Sequence, residues 1–118
     1  LAADLGVAPG SVVLGGRSFG GRMCAQAVAD GLPAAGLVLL SYPLHPPGHP
    51  DRLRTEPLAA LTLPVLAISG ARDPYGSPDE LTAHLPAQTR LIVVPGTHTP
   101  VDHDEVAAAV ADWLRTLT

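Results

Sequence analysis

The sequence is poor in several things at once. One cysteine, Cys24, excludes an intrachain disulfide. With one Phe, one Trp and two Tyr, and only 7 Lys and Arg against 11 Asp and Glu, the chain has neither a basic run nor a stacking surface for nucleic acid. The net charge of −4 likewise gives no attraction to an anionic membrane. No apolar run reaches membrane-spanning length, and no charged segment followed by a cleavable apolar one opens the chain. A cytoplasmic protein with no nucleic-acid and no membrane partner is the expectation.

What is present is apolar: 47% of 118 residues are hydrophobic and 15% charged, which describes a globular chain with much to bury and one domain at most. Val12-Val13-Leu14, Ala35 to Ser41, Val65 to Gly70 and Arg90 to Val94 are apolar runs of strand length. Helical segments separate them. Gly21 to Asp30 is a strong helix former, with Met23, Cys24, Ala27 and Val28 as its expected sheet-facing residues and Gly31 and Pro33 as a stop. Tyr42 to Pro64 carries Pro43, Pro46, Pro47, Pro50, Pro57 and Pro64, so it reads as a long loop with a short helix near Leu58 to Leu61. Ser77-Pro78-Asp79-Glu80 is a complete helix start, with Ser as N-cap and Glu three residues on. A last helix is expected over Pro100 to Leu117, its apolar stripe made of Val106, Val110, Trp113, Leu114 and Leu117. Leu1 to Leu5 with Gly6 reads as the last turn of another helix. This alternation predicts an α/β fold: a parallel sheet covered by helices on both faces.

The stretch that carries chemistry is Gly16-Arg17-Ser18-Phe19-Gly20, a G-x-S-x-G sequence between the first strand and the first helix. Chance gives about 0.05 such matches in a chain of this composition. In a nucleophile elbow the Ser sits on a strained strand-to-helix turn, and glycines two residues to either side are expected to prevent backbone collisions. Asp73 follows the third strand and His98 the fourth. In an open α/β sheet these ends share one crevice. A hydroxyl needs an adjacent base to become a nucleophile, and the base needs a carboxylate to hold its tautomer. Ser18, Asp73 and His98 are therefore the candidate catalytic residues. The backbone N–H of Phe19 is the candidate oxyanion donor.

Other candidates weigh less. His103 falls in the first turns of the last helix; Asp79, Asp102, Asp104 and Glu105 suit helix N-termini. His45 and His49 share a Pro-rich loop without a third ligand on a rigid element, so no metal is expected there, and they read as surface or pocket wall. Tyr42 and Leu44 are expected to wall the substrate pocket because they follow the strand beside the elbow. Arg17 and Arg22 read as local pairing residues. Cys24 reads as a small core residue.

Three segments carry a resemblance: Gly15-Gly16-Arg17-Ser18-Phe19-Gly20-Gly21-Arg22, Leu40 to Gly48, and Ser69-Gly70-Ala71-Arg72-Asp73-Pro74. With them the chain resembles the C-terminal half of an α/β-hydrolase of the dienelactone-hydrolase-like branch. It is especially similar to a subgroup that includes a testis-expressed member and a subunit of a histone acetyltransferase complex. The resemblance implies the last four strands of an eight-stranded sheet and a single partial domain over residues 1–118. It also implies a serine hydrolase that uses Ser18 as nucleophile, Asp73 as acid and His98 as base, without cofactor, on a small ester or related acyl substrate. The second oxyanion donor is expected from the N-terminal half. That half, or a second copy in a homodimer, is the expected partner of the first strand's open edge. The departure from the subgroup is at Thr97 and Thr99, where acidic residues are expected beside His98. Two other functions compete: a catalytically silent interaction domain, and a flavodoxin-like domain binding an anion at Gly20-Gly21.

Overall fold

The computed structural model describes residues 6, 8–99 and 102–117. The expected helix end at Leu1 to Leu5 lies outside these residues. So do Pro100 and Val101, the expected start of the last helix.

Four strands form one parallel sheet in chain order: β1 (Val13–Arg17), β2 (Gly36–Leu40), β3 (Val65–Gly70) and β4 (Thr89–Val94). Registers pair Gly16 with Leu39, Leu40 with Ile68 and Gly70 with Val94. The helices are α1 (Phe19–Ala29), α2 (Glu56–Ala59), α3 (Pro78–His84) and α4 (His103–Arg115).

Strand side chains alternate between the sheet faces, and two cores result. Leu37, Leu39, Val65 and Ala67 pack with Ala25 of α1, Leu58 of α2 and Leu81 of α3. Val38, Leu66, Ile68 and Val94 pack with Trp113 of α4. Helices thus cover both faces, as the alternation predicts.

Several boundaries differ from expectation. β1 continues through Gly15, Gly16 and Arg17, because their backbone still pairs with β2. It is also half-exposed rather than buried on both faces, since among the described residues only β2 lies beside it. On α1 the face turned to the sheet is Gly21, Cys24, Ala25 and Val28, with helical spacing, and Met23 is exposed. α4 begins at His103 because Asp102 is its N-cap, the carboxylate accepting from the Glu105 N–H at 3.0 Å. Trp113 anchors α4, whereas Leu114 turns outward. The capping box of α3 forms as read: Ser77 Oγ accepts from the Glu80 N–H, and the Glu80 carboxylate accepts from the Ser77 N–H.

Candidate active site

Ser18 stands between β1 and α1 with φ 52° and ψ −120°. A non-glycine residue at positive φ is strained by about 1–3 kcal/mol, a cost that persists only where the surroundings impose it. Here they do: the Ser18 N–H still donates to the Leu40 carbonyl at 2.7 Å, and its own carbonyl accepts from the Arg22 N–H at 3.1 Å. At an N-cap a serine hydroxyl normally accepts from the first helical turn. At Ser18 no such cap bond forms. The hydroxyl instead lies 2.7 Å from Nε2 of His98.

Glycine at 16 is obligatory, because a Cβ there would lie 2.4 Å from the Gly20 carbonyl carbon. Gly20 itself has open space where a Cβ would go. The second crowded position is Gly21, whose Cβ would come within 2.8 Å of the Gly16 carbonyl oxygen. The turn therefore needs glycine at 16 and 21, not at 16 and 20.

His98 lies on the loop leaving β4, and its Nδ1 is 3.0 and 2.9 Å from the two carboxylate oxygens of Asp73. An ionised carboxylate only accepts, so the proton sits on Nδ1 and Nε2 is left to accept from the Ser18 hydroxyl. The Asp73 side chain is fully buried and that of His98 is 22% exposed. The Tyr75 N–H also donates to Asp73 Oδ1 at 2.8 Å. The Tyr75 ring lies over the imidazole with centroids 4.1 Å apart. Sequence reading passed over Tyr75. Its signal was the turn chemistry of Asp73-Pro74, in which an Asp carboxylate accepts from the N–H two residues on.

The first N–H groups of a helix have no acceptor within it, so those of Phe19 and Gly20 stand free of the α1 ladder beside Ser18. The Phe19 ring points outward, 61% exposed, with the Arg22 guanidinium 5.3 Å from its centroid. Arg17 donates to Thr99 Oγ1 at 2.9 Å, which ties the chain next to Ser18 to the chain next to His98. That bond gives Thr99 a role where the resemblance expects an acidic residue.

A cavity of about 260 Å³ opens between the sheet and the start of α4, lined by Arg17, Leu40, Ser41, Ile68, Thr99 and Val106 among others. Tyr42 and Leu44, the expected pocket walls, do not line it. Ser41 takes φ 52° and breaks the strand alternation, so Tyr42 and Leu44 enter the core beside Ala25 and Leu58. The Tyr42 hydroxyl donates to the Arg54 carbonyl at 2.8 Å, and burial pushes its pKa up to about 12. It is a structural phenol. His103 also lines the cavity; the Ser18 hydroxyl pairs with His98 instead. Asp79 sits in the first turn of α3. Cys24 is half-buried against the core, its thiol 3.7 Å from the Gly15 carbonyl.

A family model described as an alpha/beta hydrolase domain matches residues 2–108. The chain belongs to the α/β-hydrolase family. Among solved structures, a thermophilic esterase from Thermogutta terrifontis, solved with malate bound, superposes with a TM-score of 0.75 at 23% identity over 98% of this chain. The esterase domain of a Rhodothermus marinus protein gives 0.68 at 12% identity over 89%. A pyrethroid hydrolase from Sphingobium faniae JZ-2 gives 0.66 at 18% identity over 95%. The present chain spans 68%, 60% and 74% of those three chains respectively. At these identities the likeness is one of fold. Among the described residues, no helix is long and apolar enough to cross a membrane.

Proposed function

We propose that this α/β-hydrolase chain carries the site of a serine hydrolase acting on a small ester or related acyl substrate. One observation carries the reading: an unbroken hydrogen-bonded line from the Ser18 hydroxyl through His98 to the buried Asp73 carboxylate. Ser18 Oγ attacks the acyl carbon while His98 Nε2 takes its proton, and Asp73 stabilises the resulting imidazolium. The Phe19 N–H donates to the oxyanion that forms. His98 then returns the proton to the leaving oxygen, and an acyl-Ser18 ester remains. Water attacks that ester by the same route, releases the acid and restores the hydroxyl.

The outer edge of β1 has no strand against it among the described residues. A strand paired there, from an N-terminal half of the domain or a second copy, would cover the edge and bring the second oxyanion donor. Within the family we place the chain in the dienelactone-hydrolase-like branch, on the three segments that resemble it, and in the cytoplasm.

The test is covalent. A fluorophosphonate probe should label Ser18, and Ser18→Ala should abolish labelling and lower kcat by about 10³-fold or more. Labelling that survives in Ser18→Ala would place the nucleophile elsewhere. An unlabelled, folded wild-type protein would favour a silent interaction domain.

A further inference from the structure

His45 is 5% exposed, and each of its ring nitrogens faces an acceptor. Nδ1 is 2.8 Å from the Pro46 carbonyl oxygen and Nε2 is 2.7 Å from Glu80 Oε2. A neutral imidazole carries one N–H and one lone pair, and the lone pair would have to face one of these oxygens. A Glu80 protonated on Oε2 could donate to Nε2 while Oε1 still accepts from the Ser77 N–H at 3.0 Å, but the Ser77 N–H holds this carboxyl below the usual carboxylate range, so it is ionised at neutral pH. With Glu80 ionised, a ring with two N–H groups satisfies the whole network.

The connections of His45 lead to the candidate active site. Its backbone N–H donates to the Tyr75 carbonyl at 3.0 Å. Tyr75 in turn donates its N–H to Asp73 and lays its ring against His98. Two charged groups act on the His45 ring, Glu80 from α3 and Asp73 from the turn after β3. The ring's own loop contributes the Pro46 carbonyl.

We propose that His45, held as an imidazolium between the Pro46 carbonyl and Glu80, is a positioning residue that fixes the Asp73-Pro74-Tyr75 turn against α3 and so keeps Asp73 and Tyr75 registered on His98. This assignment rests on the serine-hydrolase reading for its effect on turnover, but not for the protonation state of the ring. Electrostatics agree with the geometry. The Pro46 carbonyl and then Glu80 raise the His45 pKa against the opposing effect of burial, and Glu80 is lowered by the Ser77 N–H and by His45.

The decisive variant is Glu80→Gln. Its carboxamide oxygen can still accept from Ser77, and its NH2 can donate to a neutral His45 nitrogen, so the fold is kept while the charge-assisted bond that holds the turn is replaced by a weaker neutral one. Nitrogen-15 NMR of wild type at pH 7 should show both His45 nitrogens protonated, and Glu80→Gln should show one. In steady-state kinetics kcat should fall about 10-fold in Glu80→Gln with KM unchanged, as for a slightly misplaced catalytic group. The alkaline decline of wild-type kcat should move to lower pH. A singly protonated His45 in wild type, or superimposable pH profiles for the two proteins, would overturn the proposal.

Fluorophosphonate labelling of Ser18 reports on the hydrolase reading separately. Should wild type prove inactive, the exchange rate of the His98 Nδ1 proton replaces turnover. It should rise in Glu80→Gln, and an unchanged rate would overturn the positioning role.

Discussion

A Cβ on Gly70 would stand 2.1 Å from the carbonyl oxygen of Thr97 and 2.6 Å from that of Gly96. The chain leaving β4 therefore folds directly over the end of β3, where the Arg72 N–H donates to the Gly96 carbonyl at 2.9 Å. This close approach sets His98 above Asp73. Gly70→Ala should lower kcat by about 10²-fold through misplacement of His98. It should also destabilise the fold by about 3 kcal/mol, because both obstructing atoms belong to backbone. Urea unfolding and steady-state kinetics check the two effects, and a wild-type kcat would show that the approach is not needed.

Ser18 pays for the placement of its hydroxyl on His98 in backbone strain. Ser18→Gly should release that strain and be more stable than Ser18→Ala by about 1 kcal/mol, although glycine ordinarily lowers stability relative to alanine. Both variants should be inactive. Thermal unfolding of the pair gives the answer, and an alanine variant more stable than the glycine one would contradict the φ of 52° at this position.

Asp73→Asn keeps the side chain's shape but removes the charge that holds the proton on His98 Nδ1. A drop in kcat of up to about 10⁴-fold at neutral pH is expected, with little change in KM. Asp79→Asn, in the first turn of α3, serves as the control. If the control is the damaging change, the acid has been misassigned.

The pair His45 and Glu80 makes stability fall at both ends of the pH range. His45 has a raised pKa in the folded chain. Its contribution is thus complete below the ordinary His value and lost as pH rises through the folded one. Glu80 is lowered. Its contribution is therefore present above the ordinary carboxylate value and lost as pH falls through the folded one. Denaturant midpoints measured across pH should decline on both flanks in wild type. In His45→Gln the alkaline decline should shrink, and an unaltered alkaline flank would remove His45 as its source.

Much of this was legible in the sequence because it is local. The β2 and β3 runs, the Ser77 capping box and the G-x-S-x-G turn each lie within a few neighbouring residues. What escaped depends on contacts between distant segments or on a single dihedral. The partner of His45 is Glu80, 35 residues away, and a Pro-rich loop has no periodicity from which burial can be read. Tyr42 and Leu44 were misdirected by Ser41, whose positive φ reverses the expected facing. The exchange of Gly20 for Gly21 as the crowded position follows from how α1 leaves the elbow, which composition does not express.

The strand order has a further consequence. Since β1, β2, β3 and β4 lie side by side in chain order, Ser18 and His98 start from opposite edges of the sheet. The loop after β4 must reach back over three interstrand spacings, about 14 Å, before its imidazole meets the hydroxyl. No subset of strands can hold that pair together. The Ser18–His98 bond therefore reports that all four strands are docked side by side.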